Sequence, residues 1–426
     1  MPGDIPAPPM TNGQASESGF KLGDFSIDEH KPIKVVCIGA GFSGIIAGIR
    51  FPQRIPNVEL TIYDKNAGVG GTWFTNKYPG LACDIPAHCY QLTFEPKTDW
   101  SAFYAPGPEI RSYLQSVVDK YKLMRYIKLQ HRVVHARWGV DEEGAYEEFE
   151  DTADLLFTGV GSLSRWKWPV IDGLKDFKGK LFHTADFEVG DGEQAWQEAV
   201  HDWKDKRVGV IGVVDFQPTH IKHVTANGIE LVDGTHEELD VLICATGYDY
   251  SFQLDFPIVG RGGATIQDKW APHPSTYLAR RGQRVAAGAD RAPGGLCGRA
   301  ARKMQRERLK SVEVKKEAVA DFDEYLEHYF PNTVYSEKCR SWYKMGKEEG
   351  RVVALWPGSC LHAVRALEHP RWEDFQYELP DGVKNRMHWL GDGQTYNEKT
   401  MTGDRAWYLN DDQVDFPPVP ADELVQ

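Results

Sequence analysis

The sequence predicts a doubly wound α/β fold, on the strength of three features. Residues 34–38 (KVVCI) are an apolar run that passes through a glycine turn into a segment of helical spacing. A second apolar run, residues 58–63, follows at once and stops at Asp64. Two strands around a helix, with glycines between the first strand and the helix, make the opening half of such a sheet. The third feature is the Val-Leu-Ile run at 241–243, a fully buried type of strand that leads to Gly247.

Ordered structure is expected from about residue 31. Residues 1–30 are rich in Pro, Gly and Ser and lack the basic start and apolar stretch of a secretory signal, so they read as a disordered tail. Residues 108–122 place Ile110, Leu114, Val117 and Val118 on one face and predict a surface helix. Val319, Phe322, Leu326 and Tyr329 repeat at helical spacing and predict a core-facing helix. The stretch 279–302 is almost all Arg, Ala and Gly without an aromatic residue. With so little apolar content it predicts a disordered or poorly packed loop, and a basic anion-binding loop is the functional alternative.

The chain has 426 residues, enough for two or three domains around a large core. A net charge of -13 argues against nucleic acid as a partner, because phosphate-backbone binding needs clustered Lys and Arg. No apolar run reaches the roughly 18–20 residues of a membrane-crossing helix. Cys37, Cys83, Cys89, Cys244, Cys297, Cys339 and Cys360 form no close CxxC pair. That pattern fits a reduced, cytoplasmic protein better than a disulfide framework or a metal site.

The chemistry begins at Gly39-Ala40-Gly41-Phe42-Ser43-Gly44. Gly39 allows the tight turn, Gly41 lets backbone approach a pyrophosphate, and Gly44 lets helix and strand pack closely. The pyrophosphate then meets free N–H groups and the positive end of the helix dipole. Asp64, twenty positions beyond Gly44, is placed for ribose hydroxyls.

Residues 70–84 (GGTWFTNKYPGLACD) add a second signal. Through Gly71, Trp73, Tyr78, Pro79, Gly80 and Asp84 the chain resembles FAD-dependent monooxygenases of the Baeyer–Villiger and flavin-containing type, especially their fungal branch in secondary metabolite biosynthesis. The segments AHCYQLTFEPKTDWSAFYAPGPEI, LICATGYD, HPSTYLA, CRSWYK, WPGSCLH and RWEDF resemble that family as well. The resemblance implies FAD held by Gly39, Gly41, Phe42, Ser43, Gly44, Asp64 and Lys65. It extends the contacts to Gly71, Thr72, Trp73, Asp84 and Tyr90, and to a second turn at Thr246 and Gly247. It makes Asp84 the catalytic candidate, a carboxylate that orients an active-site arginine. Aromatic core packing competes with a cofactor role for Trp73, Tyr78 and Tyr90. NADPH, O2 and a ketone-like organic molecule are the implied co-reactants. The oligomeric state is not legible.

Two segments depart from the family pattern. In residues 177–188, Phe177, Gly179 and His183 match the hinge fingerprint, but Phe187 stands for a Trp and Glu188 for the Pro or Asp after it. A structural role for His183 competes with the hinge role. In residues 206–212 (KRVGVIG) a second dinucleotide unit should start, yet Val214 and Gln217 replace its later glycines and Pro218 interrupts the helix. Roughly 30 residues then lead to the next strand, where a complete NADPH domain needs on the order of 100. The expected organisation is therefore a discontinuous, Rossmann-like FAD-binding domain, residues 31–211 and 240–426. The second dinucleotide domain is largely missing, with 212–239 its remnant. Two functions follow: an FAD-dependent, NADPH-linked monooxygenase, or a flavin-binding remnant or misread gene model without NADPH-dependent turnover.

Overall fold

The strands of the N-terminal half form where the apolar runs place them. The computed structural model describes residues 20–139, 149–162, 164–187, 195–212, 220–277 and 293–410. Strand Ile33–Ile38 (β1) leads through the glycine turn into helix Phe42–Arg54 (α1). Val58–Tyr63 (β2) returns parallel to β1, with Leu60 opposite Val35. A short helix Thr72–Thr75 (α2) and the helix Gly107–Lys120 (α3) follow. Next come the strands Ile127–Lys128 (β3), Ala136–Arg137 (β4) and Leu155–Thr158 (β5). Four parallel strands lie in the order β3-β2-β1-β5. Since β1 has β2 on one side and β5 on the other, the crevice of this sheet opens at the carboxyl end of β1, where the glycines stand.

Burial holds that arrangement. Ile45, Ile49 and Phe51 of α1 share one core with Ile110, Leu114, Val117 and Val118 of α3 and with Val35, Cys37 and Ile62 of the sheet. The α3 positions are one stripe of a 3.6-residue period, as the sequence spacing predicts.

A second parallel sheet is smaller. Lys180–His183 (β6) precedes the short helix Ala195–Ala199 (α4) and the strand Val208–Ile211 (β7). Ile221–Thr225 (β8), Gly228–Leu231 (β9) and His236–Glu238 (β10) form an antiparallel meander. Val241–Cys244 (β11) then enters between β6 and β7, parallel to both. The region expected as a domain remnant thus contains a three-stranded meander, and residues 213–219 within it lie outside the described residues.

The chain divides into two compact units. One comprises residues 1–32, 302–313 and 376–426; the other, residues 33–301 and 314–375, holds both parallel sheets. Among the described residues no helix is long and apolar enough to cross a membrane.

Two expectations need correction. Residues 20–30 are not an unstructured tail: Phe25, Ser26 and His30 are buried. The Arg308 guanidinium lies 4.3 Å from the Phe25 ring centroid, and the His388 ring meets Phe25 at its edge. One aromatic side chain with distant ring partners outweighs the polar average of its segment. Residues 1–19 lie outside the described residues.

The Arg/Ala/Gly stretch is the second case. Its end belongs to a helix, Pro293–Arg306, while 279–292 lie outside the described residues. Ala301 is fully buried against the core of the first sheet, and Cys297 packs there too. Alanine and arginine are strong helix formers, and small side chains bury through close approach rather than bulk. The helix Lys316–Tyr329 forms as expected and faces a core: Leu326 is fully buried, with Phe322 and Tyr329 packed beside it.

Candidate dinucleotide site

The turn after β1 is built so that backbone, not side chain, faces the crevice. Gly39 has φ 105°, and a Cβ there would lie 2.6 Å from the Gly159 carbonyl oxygen. A Cβ on Gly44 would meet the Gly39 carbonyl oxygen at 2.0 Å, so α1 can leave the strand only from a glycine. Gly41 stands against Gly71: a Cβ on Gly71 would lie 3.1 Å from the Gly41 Cα, and one on Gly41 would lie 3.4 Å from the Gly71 Cα. No side chain caps the N-terminus of α1 and no acid occupies its first turn, so the early N–H groups of the helix face the crevice unopposed by negative charge.

Asp64 closes one side. It is buried, and its Oδ2 accepts the Ala40 N–H at 2.7 Å while Oδ1 accepts the Asn66 N–H and side-chain amide, both at 2.8 Å. Those bonds orient the carboxylate and leave lone pairs for a ligand hydroxyl. Lys65 pairs with Asp255 at 3.0 Å.

Together these groups line a cleft of about 770 Å³, which Gly39, Gly41, Phe42, Ser43, Asp64, Lys65, Gly71, Thr72 and Trp73 all reach. That size suits an organic cofactor. Gly44 lies beneath the turn rather than on the cleft. Asp84 and Tyr90 stand behind its wall. The exposed Asp84 accepts the Tyr90 hydroxyl at 3.1 Å, and the Tyr90 ring packs edge-on to Trp73 at 5.1 Å. Thr246 and Gly247 also lie off the cleft lining, but their neighbour Tyr248 is on it.

His183 ends β6 and is buried with its ring stacked on Trp166 at 4.5 Å. Its Nδ1 accepts the Ala185 N–H at 3.1 Å, so Nε2 carries the proton and donates to the Thr246 hydroxyl at 3.2 Å. Burial pushes its pKa below the ordinary histidine value. Gly212, read as a fingerprint residue, has a packing reason of its own: a Cβ there would lie 2.8 Å from the Ala245 carbonyl oxygen.

Sequence reasoning missed several lining residues. Gly159, Val160 and Gly161 continue β5, and a Cβ on Gly159 would lie 3.1 Å from the Ile38 carbonyl oxygen. Their signal was present, since residues 155–162 (LLFTGVGS) are again an apolar strand ending in glycines. His131, Arg132, Trp166 and Asp255 also line the cleft and carry no local signal, being brought there by the fold; Phe187 and Trp342 line it too, from the segments 177–188 and CRSWYK.

A doubly wound sheet with an uncapped helix terminus, facing glycines and an acidic strand end defines a dinucleotide-binding α/β protein. Residues 37–106 match the model of an NAD(P)-binding Rossmann-like domain. The chain is similar to FAD-binding monooxygenase stcW of Emericella nidulans, 26% identical over 87% of this chain and 88% of that protein. It is 28% identical to FAD-binding monooxygenase tazF of Aspergillus terreus over 89% of this chain and 95% of that one. A Baeyer-Villiger monooxygenase of Pseudomonas aeruginosa is 39% identical over a shorter stretch, 42% of this chain and 33% of the relative. Among solved structures, an oxidized steroid monooxygenase bound to NADP shares the fold with a TM-score of 0.68 at 21% identity, covering 82% of this chain and 100% of that one. The OTEMO complex with FAD and NADP does so with a TM-score of 0.69 at 17% identity and the same coverage. The resemblance to FAD-dependent monooxygenases of the Baeyer–Villiger type thus runs along most of the chain.

Proposed function

We propose that this chain is an FAD-dependent, NADPH-linked monooxygenase that inserts an oxygen atom from O2 into a small, ketone-like or heteroatom-bearing intermediate of a natural-product pathway. One observation carries the reading: Gly41 and Gly71 face each other at the uncapped start of α1, beside the oriented Asp64 carboxylate. The residues fit FAD, because a Cβ on either glycine would fill the cradle and the donors there suit a pyrophosphate. Gly39, Gly41 and the Phe42 and Ser43 N–H groups would hold the pyrophosphate, and Asp64 would accept ribose hydroxyls. Lys65 would lie toward the same end, and Thr72 and Trp73 along the flavin. When bound, FAD supplies the hydride acceptance and oxygen activation of the reaction.

The chain's own residues would bind, orient and keep water out. Trp73, Trp166, Phe187 and Trp342 give the cleft an apolar wall. Asp84, held by the Tyr90 hydroxyl behind Trp73, is the proposed catalytic carboxylate. Thr246 and Gly247 belong to the cofactor site through the turn they share with Tyr248. A cytoplasmic setting, read from the cysteines, completes the proposal.

A second reading, a flavin-binding remnant without NADPH turnover, rests on specific observations. The stcW alignment runs over 544 positions although this chain has only 426 residues, so well over a hundred positions have no counterpart here. Val214 and Gln217 stand where fingerprint glycines should be, and Val208 and Val210 of β7 are 39% and 54% exposed, where a crossover helix usually covers such a strand. Following NADPH oxidation by FAD-loaded protein, with and without cyclic and aromatic ketones, separates the two. Saturable, ketone-coupled oxidation supports the monooxygenase; FAD binding without it supports the remnant.

A further inference from the structure

Two segments that border the cleft are joined by a half-buried hydrogen bond. On the first-sheet side, Asn76 ends α2, the short helix that starts at Gly71. It is buried, its N–H and side-chain amide both donate to the Thr72 carbonyl at 3.1 and 3.0 Å, and its Oδ1 is thereby turned outward. On the second-sheet side, the turn after β11 is pinned to its own sheet. The Ala245 N–H donates to the Ile211 carbonyl, the Thr246 hydroxyl meets His183, and the Asp249 N–H donates to the Arg165 carbonyl. From that turn the Tyr248 side chain reaches along the cleft wall and its hydroxyl donates to Asn76 Oδ1 at 2.8 Å.

We propose that the Tyr248–Asn76 hydrogen bond is a latch between the two sheets that sets how fast FAD leaves the cleft. The inference rests on the FAD reading above and goes beyond it in giving two residues outside the fingerprint a positioning role. Its logic is mechanical. Thr72, Trp73, Phe74, Thr75 and Tyr248 line the same cleft, so a dinucleotide in it is bounded by both segments and is released more readily when they part. Each is fixed on its own side by backbone bonds, so the bond between them yields first. The described ion pairs of the cleft-lining Asp255, with Lys65 at 3.0 Å and Arg165 at 3.4 Å, are part-exposed and correspondingly weak.

The test uses Tyr248→Phe, Asn76→Ala and the double variant, each reconstituted with FAD and then diluted into an excess of a flavin-binding apoprotein. Tyr248→Phe removes only the hydroxyl. It is expected to release FAD roughly five- to tenfold faster, the loss of one neutral hydrogen bond, with the apoprotein still folding cooperatively. Hydrogen exchange of the Asn76 N–H in the apoprotein should quicken in the same variant. The double variant should release FAD no faster than Asn76→Ala alone, because the two residues share one bond. An unchanged release rate in Tyr248→Phe, or additive effects in the double variant, overturns the latch while leaving FAD binding intact. Failure of the unaltered protein to bind FAD at all overturns both the latch and the function it rests on.

Discussion

Gly41 and Gly71 face each other so closely that each is the other's reason for being glycine. Gly41→Val is expected to abolish FAD binding, since the branched side chain fills the pyrophosphate position; flavin absorbance retained after gel filtration would contradict this. Gly44→Ala tests packing instead, because its Cβ would overlap the Gly39 carbonyl oxygen. It should destabilise by about 1–3 kcal/mol in urea unfolding, through forced separation of α1 from β1. Lys344 ends the segment CRSWYK, whose resemblance gave it no role. It is buried, and its ammonium closes a loop by donating to the Glu337 and Glu348 carbonyls at 2.6 and 2.7 Å. Lys344→Met keeps the bulk but strands both carbonyls, at an expected cost of about 1–3 kcal/mol. The glycines and Asp64 were legible because their roles are local to one strand–turn–helix. Lys344 was not, since its partners are backbone atoms that only the folded loop brings near.

Strand β6 delivers His183 to the β11 turn, and its environment gives the pair of strands a pH response. The Ala185 N–H points at Nδ1, and burial lowers the pKa, so the folded state binds a proton less readily than the unfolded chain. Stability supplied by the neutral ring is therefore present above the unfolded value of 6.5 and lost as pH falls from there through the lower folded value. Urea midpoints should hold steady above neutrality and decline as pH falls below about 6.5; a His183→Gln variant should show a shallower decline there. A matching decline in both proteins would assign the effect to other groups. The sequence marked Phe177, Gly179 and His183 as a hinge fingerprint. The structure adds that Gly179 is needed because a Cβ there would lie 2.4 Å from the Asp240 carbonyl oxygen, and that Phe187 is buried where the pattern has a Trp. The helix Pro293–Arg306 went unread for an opposite reason: its Arg/Ala/Gly composition hides which face is buried, and only the packing of Ala301 against the sheet reveals it.

The described residues hold a dinucleotide cleft built to the full pattern and a second parallel sheet of three strands. Purified protein is expected to bind one FAD non-covalently. NADPH oxidation by the loaded protein is expected to be saturable and to rise with added ketone, because a seated nicotinamide gains a positioning advantage that can amount to ~7–11 kcal/mol. A slow rate that neither saturates nor responds to ketone would favour the flavin-binding remnant instead. The sequence by itself determined the strand–glycine–helix unit, the acidic strand end, the partner segment at Gly71–Trp73 and the kinship with flavin monooxygenases, because each is written in residues close along the chain. Only the tertiary structure decided that residues 20–30 are held by Arg308 and His388, and that Asp84 stands behind Trp73 rather than on the cleft. It alone joined Tyr248 to Asn76 across 172 positions of sequence. Those pairings depend on which distant surfaces exclude water together, a property of the packed chain that no local spacing encodes.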